Sequence, residues 1–292
     1  MDSALTSVGL PIALGIIMFG LGLGLTVADF KRVGQHPRAV VVALSCQLVL
    51  LPAVCFGLVR LFDLDPLLGI GMLLLAASPG GTTANLFSHL FRGDVALNIT
   101  LTAVNSIIAI GTLPLITNLA IDYYDEGDSV SMPLSEVVEV FLLILVPVGI
   151  GMVVRASRPA FARSMDRPVR IGSAVILAVL VLGILASESD NVGDYLADVG
   201  VVAAVFCAIS LVVGYVVPRA FGVVEDQAVA SSMEIGVHNG TLAIFVAENV
   251  LDSTEIAVPA AVYSILMFFL AAAWGSVISR RVRQERVSSA AT

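Results

Sequence analysis

Two short polar stretches interrupt the most apolar parts of this sequence. One reads "SPGGTTAN" at residues 78–85, and the other reads "EIGVHNG" at residues 234–240. The second stretch contains a carboxylate, Glu234, an imidazole, His238, and an amide, Asn239. Carboxylate and amide oxygens bind small hard cations, and the exposed N–H groups at the start of a helix bind anions. The two stretches therefore have the chemistry to hold a cation and an organic anion.

The elements that carry these stretches are those of a membrane protein. Hydrophobic residues make up 58% of the chain and charged residues only 13%, and the mean hydropathy is +0.99. An average soluble domain is about one quarter charged. Long segments without Asp, Glu, Lys or Arg follow one another, and most reach the roughly 20 residues that cross a bilayer. We predict an all-α integral membrane protein, because lipid offers no partner to unpaired backbone groups.

The positive charges between the apolar segments predict the topology. Arg60 is the one exception among 15 Lys and Arg residues that otherwise fall in odd-numbered loops and the C-terminal tail. The positive-inside rule then predicts nine spans in the cell membrane, with the N-terminus outside and the C-terminus in the cytoplasm. The whole chain, residues 1–292, is predicted to be one transmembrane domain. Its predicted spans are at about 4–28, 39–60, 66–91, 95–121, 131–154, 169–187, 199–218, 227–250 and 256–279.

Spans three and eight are each predicted to break in mid-membrane. In span three, Pro79 removes a backbone donor, and Gly80 and Gly81 add residues with little helix preference. Gly236 and Gly240 have the same effect in span eight. Irregular backbone at this depth persists only where it is buried in protein or lines a wet cavity. An ordinary kink is the alternative for span three.

The positions of the two breaks indicate an inverted repeat. If span three matches span eight, then span one matches span six, span two matches span seven and span four matches span nine. Because the matched spans are an odd number of spans apart, they cross the membrane in opposite directions. Span five is left unpaired. Many secondary transporters follow this plan and bind their substrates where two broken helices meet. A second similarity, between "MFGLGLGL" at 18–25 and "PVGIGMVV" at 147–154, does not fit the offset and is treated as chance.

Glu234 is the residue whose position in a span is hardest to explain by packing. A carboxylate in mid-span costs roughly 3 kcal/mol on insertion scales unless it meets a partner or an ion. No Lys or Arg lies in the interior of any predicted span, since Arg60 and Arg170 stand at span ends. A bound cation, or a proton, is the best remaining partner, and we predict that Glu234 holds the coupling cation.

Three motifs resemble signatures of the bile acid:sodium symporter family and occur in that family's order. They are "GIIMFGLGLGL", "SPGGTTANLFSHLFRGDVALNITLT" and "EIGVHNGTLA". The resemblance covers essentially the whole chain and is to the shorter, nine-span members. It implies a panel domain of spans one, five and six that moves against a core domain of the other six spans, whose broken helices cross. It also implies sodium-coupled symport of an organic anion, bile-acid-like or a small carboxylate, by alternating access, with no cofactor besides the sodium ions.

The resemblance also implies two sodium sites. The first is assigned to the side chains of Asn85, Asn98, Thr102 and Glu234. The second is assigned to Gln47, Glu234, the backbone of Ile235 and Val237, and the side chain of His238. His238 departs from the family, which commonly has glutamine there, and imidazole suits softer metals than sodium. Three interpretations of His238 remain open: a packed histidine, a ligand of a weakened sodium site, or a titrating group that lets protons share the coupling.

The polar groups expected nearest the crossing are candidates for binding the substrate. They are Thr82, Thr83, Asn105 and Asn239. The threonine hydroxyls could instead bond back to helix carbonyls. No span contains an arginine that would clamp a carboxylate, and His89 is expected to be a solvated residue at a helix end.

Three functions compete. The first is the sodium-coupled symporter, and the second is a related carrier that uses protons or exports a small anion or metalloid. The third is an intramembrane enzyme or receptor, but an enzyme would need a nucleophile–base set or metal ligands within the spans. The chain is therefore not expected to be an enzyme. The expected partners are sodium ions, an organic anion and the lipid bilayer, and not a nucleic acid.

Overall fold

The chain folds into α-helices in a computed structural model that describes residues 9–124, 134–187 and 192–290. The helices are α1 Leu10–Gly24, α2 Val27–Lys31, α3 Pro37–Ser45, α4 Leu51–Leu61, α5 Pro66–Ala77, α6 Thr82–Leu90, α7 Val95–Tyr124, α8 Leu134–Ser157, α9 Pro159–Ser187, α10 Val192–Ala220, α11 Glu225–Gly236, α12 Gly240–Asn249 and α13 Thr254–Ala290. In this part of the chain, the only β pairing is an isolated bridge between Gly80 and His238. The all-α prediction is confirmed. The first residues of predicted spans one and five, 4–8 and 131–133, lie outside the described residues.

Several helices are long and apolar enough to cross a membrane. Among the described residues there are five such segments: Pro37–Leu61, Val95–Tyr124, Pro159–Ile184, Val199–Ala220 and Thr254–Ser279. A sixth candidate is the pair α1 and α2, which is bent by 69°. The protein is therefore a multi-pass membrane protein.

Both predicted helix breaks are present. Helix α5 ends at Ala77, and α6 begins at Thr82 after the extended residues Ser78 and Gly81. Helix α11 ends at Gly236, and α12 begins at Gly240. The prolines and glycines in these stretches account for the breaks, because they remove a donor or lower the helix preference.

Backbone N–H and carbonyl groups of the two breaks form hydrogen bonds with each other. The Gly81 N–H donates to the Val237 carbonyl, and the Asn239 N–H donates to the Pro79 carbonyl, each at 2.8 Å. These two bonds form the antiparallel bridge between the two broken segments where they cross. An unpaired N–H or carbonyl buried away from water is costly. The reciprocal pairing therefore explains how irregular backbone persists at this depth.

The two glycine-rich segments that sequence analysis treated as a chance similarity lie against each other. A Cβ at Gly22 of α1 would overlap the backbone of Val148 in α8. A Cβ at Gly151 of α8 would in turn overlap the backbone of Phe19 and Gly22. The similarity therefore has a packing cause, since glycines on both helices allow the backbones to approach closely.

The helices are arranged so that α1 and α9 lie beside the crossing. Helix α1 packs on α8 and α9, whereas α13 packs on α5, α10 and α12. Helix α11 contacts both α6 and α7. The second break is thereby enclosed by α7, α10 and α13, and its residues from Ser231 to Ala247 are buried.

Candidate cation and anion site at the helix crossing

Glu234 lies in the last turn of α11 and is only 2% exposed. Its Oε2 accepts a 2.6 Å hydrogen bond from the Thr102 hydroxyl, and its Oε1 has no hydrogen-bond partner. The Gly80 backbone is so close that a Cβ there would overlap the carboxylate. Among the described residues, no Lys or Arg forms an ion pair with Glu234. A buried carboxylate with a free oxygen is a strong candidate ligand for a cation.

Asn98 presents a second free oxygen near Glu234. Its Nδ2 donates to the Ala230 carbonyl, one turn before Glu234, at 2.8 Å. A carbonyl only accepts, so the amide nitrogen must face Ala230 and the amide oxygen must face away. That oxygen is buried and has no partner. The Thr102 hydroxyl also lies 3.0 Å from the Asn98 carbonyl, so one polar face of α7 carries both residues.

Asn85 contributes a third free oxygen, from α6. Its Oδ1 is buried and has no partner. Asn85 also lines the cavity described below, together with Ile99, the neighbour of Asn98. The structure thus joins Thr102 and Glu234 directly, and it leaves one oxygen without a partner on each of Asn85, Asn98 and Glu234.

Gln47 lies in a π-helical turn, Cys46–Leu50, between α3 and α4. The Leu51 N–H reaches back to the Cys46 carbonyl, and the following residue, Pro52, has no N–H to continue the regular ladder. Such π-turns occur frequently at functional sites. The Gln47 Nε2 donates to the Ser78 carbonyl in the first break at 3.1 Å, and by the same logic its Oε1 is left without a partner.

The second break leaves two backbone carbonyls without their usual helical hydrogen bonds. The helical partner of the Ile235 carbonyl would be the Asn239 N–H, but that N–H donates to Pro79 instead. The Val237 carbonyl accepts from Gly81, which uses one of its two lone pairs. Both carbonyls assigned to the second sodium site therefore keep acceptor capacity.

His238 is buried between two aromatic rings. The Phe206 and Tyr263 rings lie 5.7 and 5.3 Å from its centroid, each nearly edge-on. The Tyr263 hydroxyl donates to the Gly236 carbonyl at 2.9 Å, so its one proton is not available to His238. The His238 Nδ1 lies 3.4 Å from the same hydroxyl, and the Nδ1–H tautomer of the ring is the one that could donate to it. Its Nε2 then carries a lone pair, and that atom has no partner.

The predicted substrate-binding residues separate into two groups. Thr82, Thr83 and Asn239 line a small cavity of about 20 Å³ at the crossing. Asn239 also caps α12, because its Oδ1 accepts from the Leu242 N–H at 3.1 Å. Asn105 lines neither cavity, and both polar atoms of its amide are buried without a partner. In the described part of the chain, the Thr82 and Thr83 hydroxyls make no hydrogen bond to a helix carbonyl, unlike those of Thr100 and Thr102.

A larger cavity of about 430 Å³ adjoins the small one, since Thr82 and Ser173 line both. Its wall includes three residues that sequence reasoning did not assign to the site: Arg155, Arg163 and Ser173. His89, expected only at a solvated helix end, lines it as well. Ligand pockets commonly measure about 300–1,000 Å³, so the cavity is large enough for a small organic molecule. Two arginines at helix ends therefore reach the cavity: Arg155 in the last turn of α8 and Arg163 in the first turns of α9.

The signal for these arginines was present in the sequence. The segment "RASRPAFARSMDRPVR" at 155–170 is the most basic in the chain. Sequence reasoning used it only to orient the protein. Which of its arginines face inward depends on how α8 and α9 pack, and this packing is not visible in the charge pattern.

Comparisons with known proteins find similarity to sodium-dependent transporters. The profile of the sodium bile acid symporter family matches residues 11–195. The chain is 24% identical to an uncharacterised sodium-dependent transporter of Bacillus subtilis, over 95% of this chain and 85% of that protein. It is 27% identical to a probable chloroplastic sodium/metabolite cotransporter of Arabidopsis thaliana, over 90% of this chain and 66% of that protein. It is 25% identical to the ileal sodium/bile acid cotransporter of Homo sapiens, over 82% of this chain and 69% of that protein.

Proposed function

The chain belongs to the sodium bile acid symporter family, and on that premise we propose that it is a secondary active transporter that couples sodium entry to uptake of an organic anion. The matched family and the relatives are transporters and not enzymes. The relatives named for sodium and for bile acids or metabolites support this class of substrate.

One observation carries the proposal: the buried Glu234 carboxylate meets a neutral hydroxyl and no positive side chain in the described part of the chain. A charge in this position requires an ion or a proton for compensation. The oxygens of Asn85, Asn98 and Gln47 that lack a partner are ligands of the kind that hard cations prefer. Sodium binding would neutralise the charge that the empty carrier holds, and movement of the bound ions down their gradient would supply the energy for uptake.

The proposal divides these oxygens between two sodium ions. The first ion would bind Asn85, Asn98, Thr102 and Glu234. The second ion would bind the other side of Glu234 with Gln47, the carbonyls of Ile235 and Val237, and His238. In support, Gln47 donates to the Ser78 carbonyl of the first break, His238 lies within the second break, and each has a buried polar atom without a hydrogen-bond partner.

We further propose nine spans with an inverted repeat. The proposed crossings, in order, are α1, α3 with α4, α5 with α6, α7, α8, α9, α10, α11 with α12, and α13. The antiparallel pairing of the two breaks supports opposite orientations of spans three and eight. In this topology the N-terminus is outside, and the basic α8–α9 connection and the C-terminus are in the cytoplasm of a cell-membrane protein.

Alternating access would be movement of a panel, α1 with α8 and α9, against the remaining core. Helix α1 packs on α8 and α9, which supports treating the three as one unit. The larger cavity lies between these helices and the core helices α6 and α7. It contains Arg155 and Arg163, so the proposed topology makes this an inward-facing arrangement.

The test is a transport screen in proteoliposomes loaded without substrate. Uptake of labelled carboxylates, including cholate and pyruvate, is measured with an inward sodium gradient, with an inward proton gradient, and with neither. We expect concentrative uptake only with the sodium gradient. Uptake driven by protons alone would instead support the proton-coupled carrier, the second candidate.

A further inference from the structure

The larger cavity has two chemically different ends. At one end Thr82 and Ser173 connect it to the helix crossing. At the other end helices terminate: His89 is in the last turn of α6, and Arg155 is in the last turn of α8. Arg163 lies in the first turns of α9. All three side chains line the cavity.

The wall between these ends is amphipathic. On α6, Thr82, Asn85 and His89 line the cavity at intervals of three and four residues, so they share one face of the helix. At 1.5 Å per residue this polar face extends about 10 Å along the helix axis. The facing wall is apolar and consists of Leu21, Leu23, Leu25, Val95, Ile99, Met165 and Val169.

The positive charge is concentrated at the end away from the crossing. Arg155 is half-buried and Arg163 is exposed. The small cavity at the crossing has no Lys or Arg in its lining, and Glu234 lies close behind it, against Gly80. A guanidinium binds a carboxylate or sulfonate through paired hydrogen bonds. An anionic group is therefore better placed beside the arginines than beside the crossing.

From this arrangement, and given the transport function proposed above, we propose that Arg155 and Arg163 bind the anionic group of the substrate. The substrate lies along α6 with its uncharged polar end at Thr82 and its apolar face against α1. The transported class is then an amphipathic anion long enough to cover about 10 Å of helix, which a three-carbon carboxylate cannot do. Arg155 and Arg163 would then determine specificity by binding the anionic group at the end of the cavity away from the coupling ions.

The test measures binding to the purified transporter in a non-ionic detergent with saturating sodium chloride. The probes are cholate, which carries a carboxylate at one end and hydroxyls on one face, its uncharged methyl ester, and lactate. The variant is Arg155→Gln/Arg163→Gln. The matched control is Arg158→Gln/Arg167→Gln, which removes two charges from the same connection at exposed residues that do not line the cavity.

We expect wild-type protein and the control to bind cholate alike and more tightly than the methyl ester or lactate. The Arg155→Gln/Arg163→Gln variant should lose at least about tenfold in cholate affinity, the effect of one charge-assisted hydrogen bond, and should bind the ester as wild type does. Equal cholate binding by the two double variants overturns the proposal. Absence of cholate binding by the wild type also overturns it.

The two proposals fail in different ways. If sodium does not drive uptake of any carboxylate by the wild type, the transport proposal is wrong. If sodium drives uptake but both double variants bind cholate alike, only the assignment of the arginines is wrong. Comparing the melting temperatures of both double variants with that of wild type ensures that lost affinity reflects lost contacts and not unfolding.

Discussion

The Thr102 hydroxyl on α7 and the Glu234 carboxylate on α11 are joined by a 2.6 Å hydrogen bond, although 132 residues separate them in the chain. The bond connects α7, which follows the broken pair α5 and α6, to α11, the helix that ends at the second break. It also directs Oε2 of Glu234 toward α7 and leaves Oε1 free. In the proposed two-site arrangement this one carboxylate would be shared by two sets of oxygens, one on α6 and α7 and one that includes the second break.

The first prediction concerns this bond. Thr102→Val keeps the shape of the side chain but removes the hydroxyl that contacts Glu234. A hydrogen bond to a charged group contributes about 1.5–3 kcal/mol, so the sodium concentration for half-maximal transport should rise about tenfold or more. Thr117→Val is the matched control, since Thr117 is equally buried on α7 and bonds only to the Leu113 carbonyl. An unchanged sodium dependence in Thr102→Val would remove Thr102 from the first site.

The second prediction concerns the space beside the carboxylate. Gly80→Ala adds one methyl group that would overlap Glu234. The methyl group should displace the carboxylate and abolish sodium-driven uptake, although no polar group is lost. Gly111→Ala is the control, because a Cβ there meets nothing within 4 Å. Normal uptake by Gly80→Ala would show that the carboxylate does not need its present position.

The third prediction concerns His238. His238→Gln replaces the Nε2 lone pair with an amide oxygen, which is a better ligand for sodium. The sodium concentration for half-maximal transport should be lower in the variant than in the wild type. In the variant this concentration should also stay constant between about pH 5 and 8, the range in which an unperturbed imidazole titrates. Sodium curves that match the wild type at each pH in this range would leave His238 with the packing role alone, against Phe206 and Tyr263.

The fourth prediction concerns the contact of α1 with α8. Gly22→Ala places a methyl group against the Val148 backbone, which cannot move as a flexible side chain would. Overpacking of this kind typically costs about 1–3 kcal/mol, so the melting temperature of the detergent-solubilised protein should fall. Gly149→Ala in α8, where a Cβ meets nothing within 4 Å, should leave it unchanged or raise it. Equal melting temperatures for the two variants would mean that the close approach contributes nothing to stability.

The features predicted correctly from sequence are those that depend on local chemistry. The proline and glycines of residues 79–81, and Gly236 with Gly240, predicted both helix breaks because these residue types disfavour a helix wherever they occur. The low charge content predicted the apolar helices for a similar reason. Glu234 was identified by its cost in a membrane, which does not depend on its neighbours.

The features that hydropathy and charge do not reveal depend on contacts between distant segments. The free oxygen of Asn98 follows from its bond to Ala230, and that of Gln47 follows from its bond to Ser78. Neither bond has a signature in hydropathy or charge. The same holds for the two arginines in the cavity and for the glycines of α1 and α8, whose similarity became meaningful only when the helices were seen in contact.

The central claim is that Glu234 is the charge shared by both coupling ions. The most direct measurement is sodium binding to the purified protein by calorimetry, in wild type, in Glu234→Gln and in the control Asp252→Asn. The control removes an exposed carboxylate at a residue with φ of 48°, a conformation that asparagine also adopts readily. We predict sodium binding by the wild type and the control, and none by Glu234→Gln at either site, with a melting temperature in sodium-free buffer that is no lower than that of wild type. Sodium binding by folded Glu234→Gln with wild-type affinity would contradict this account.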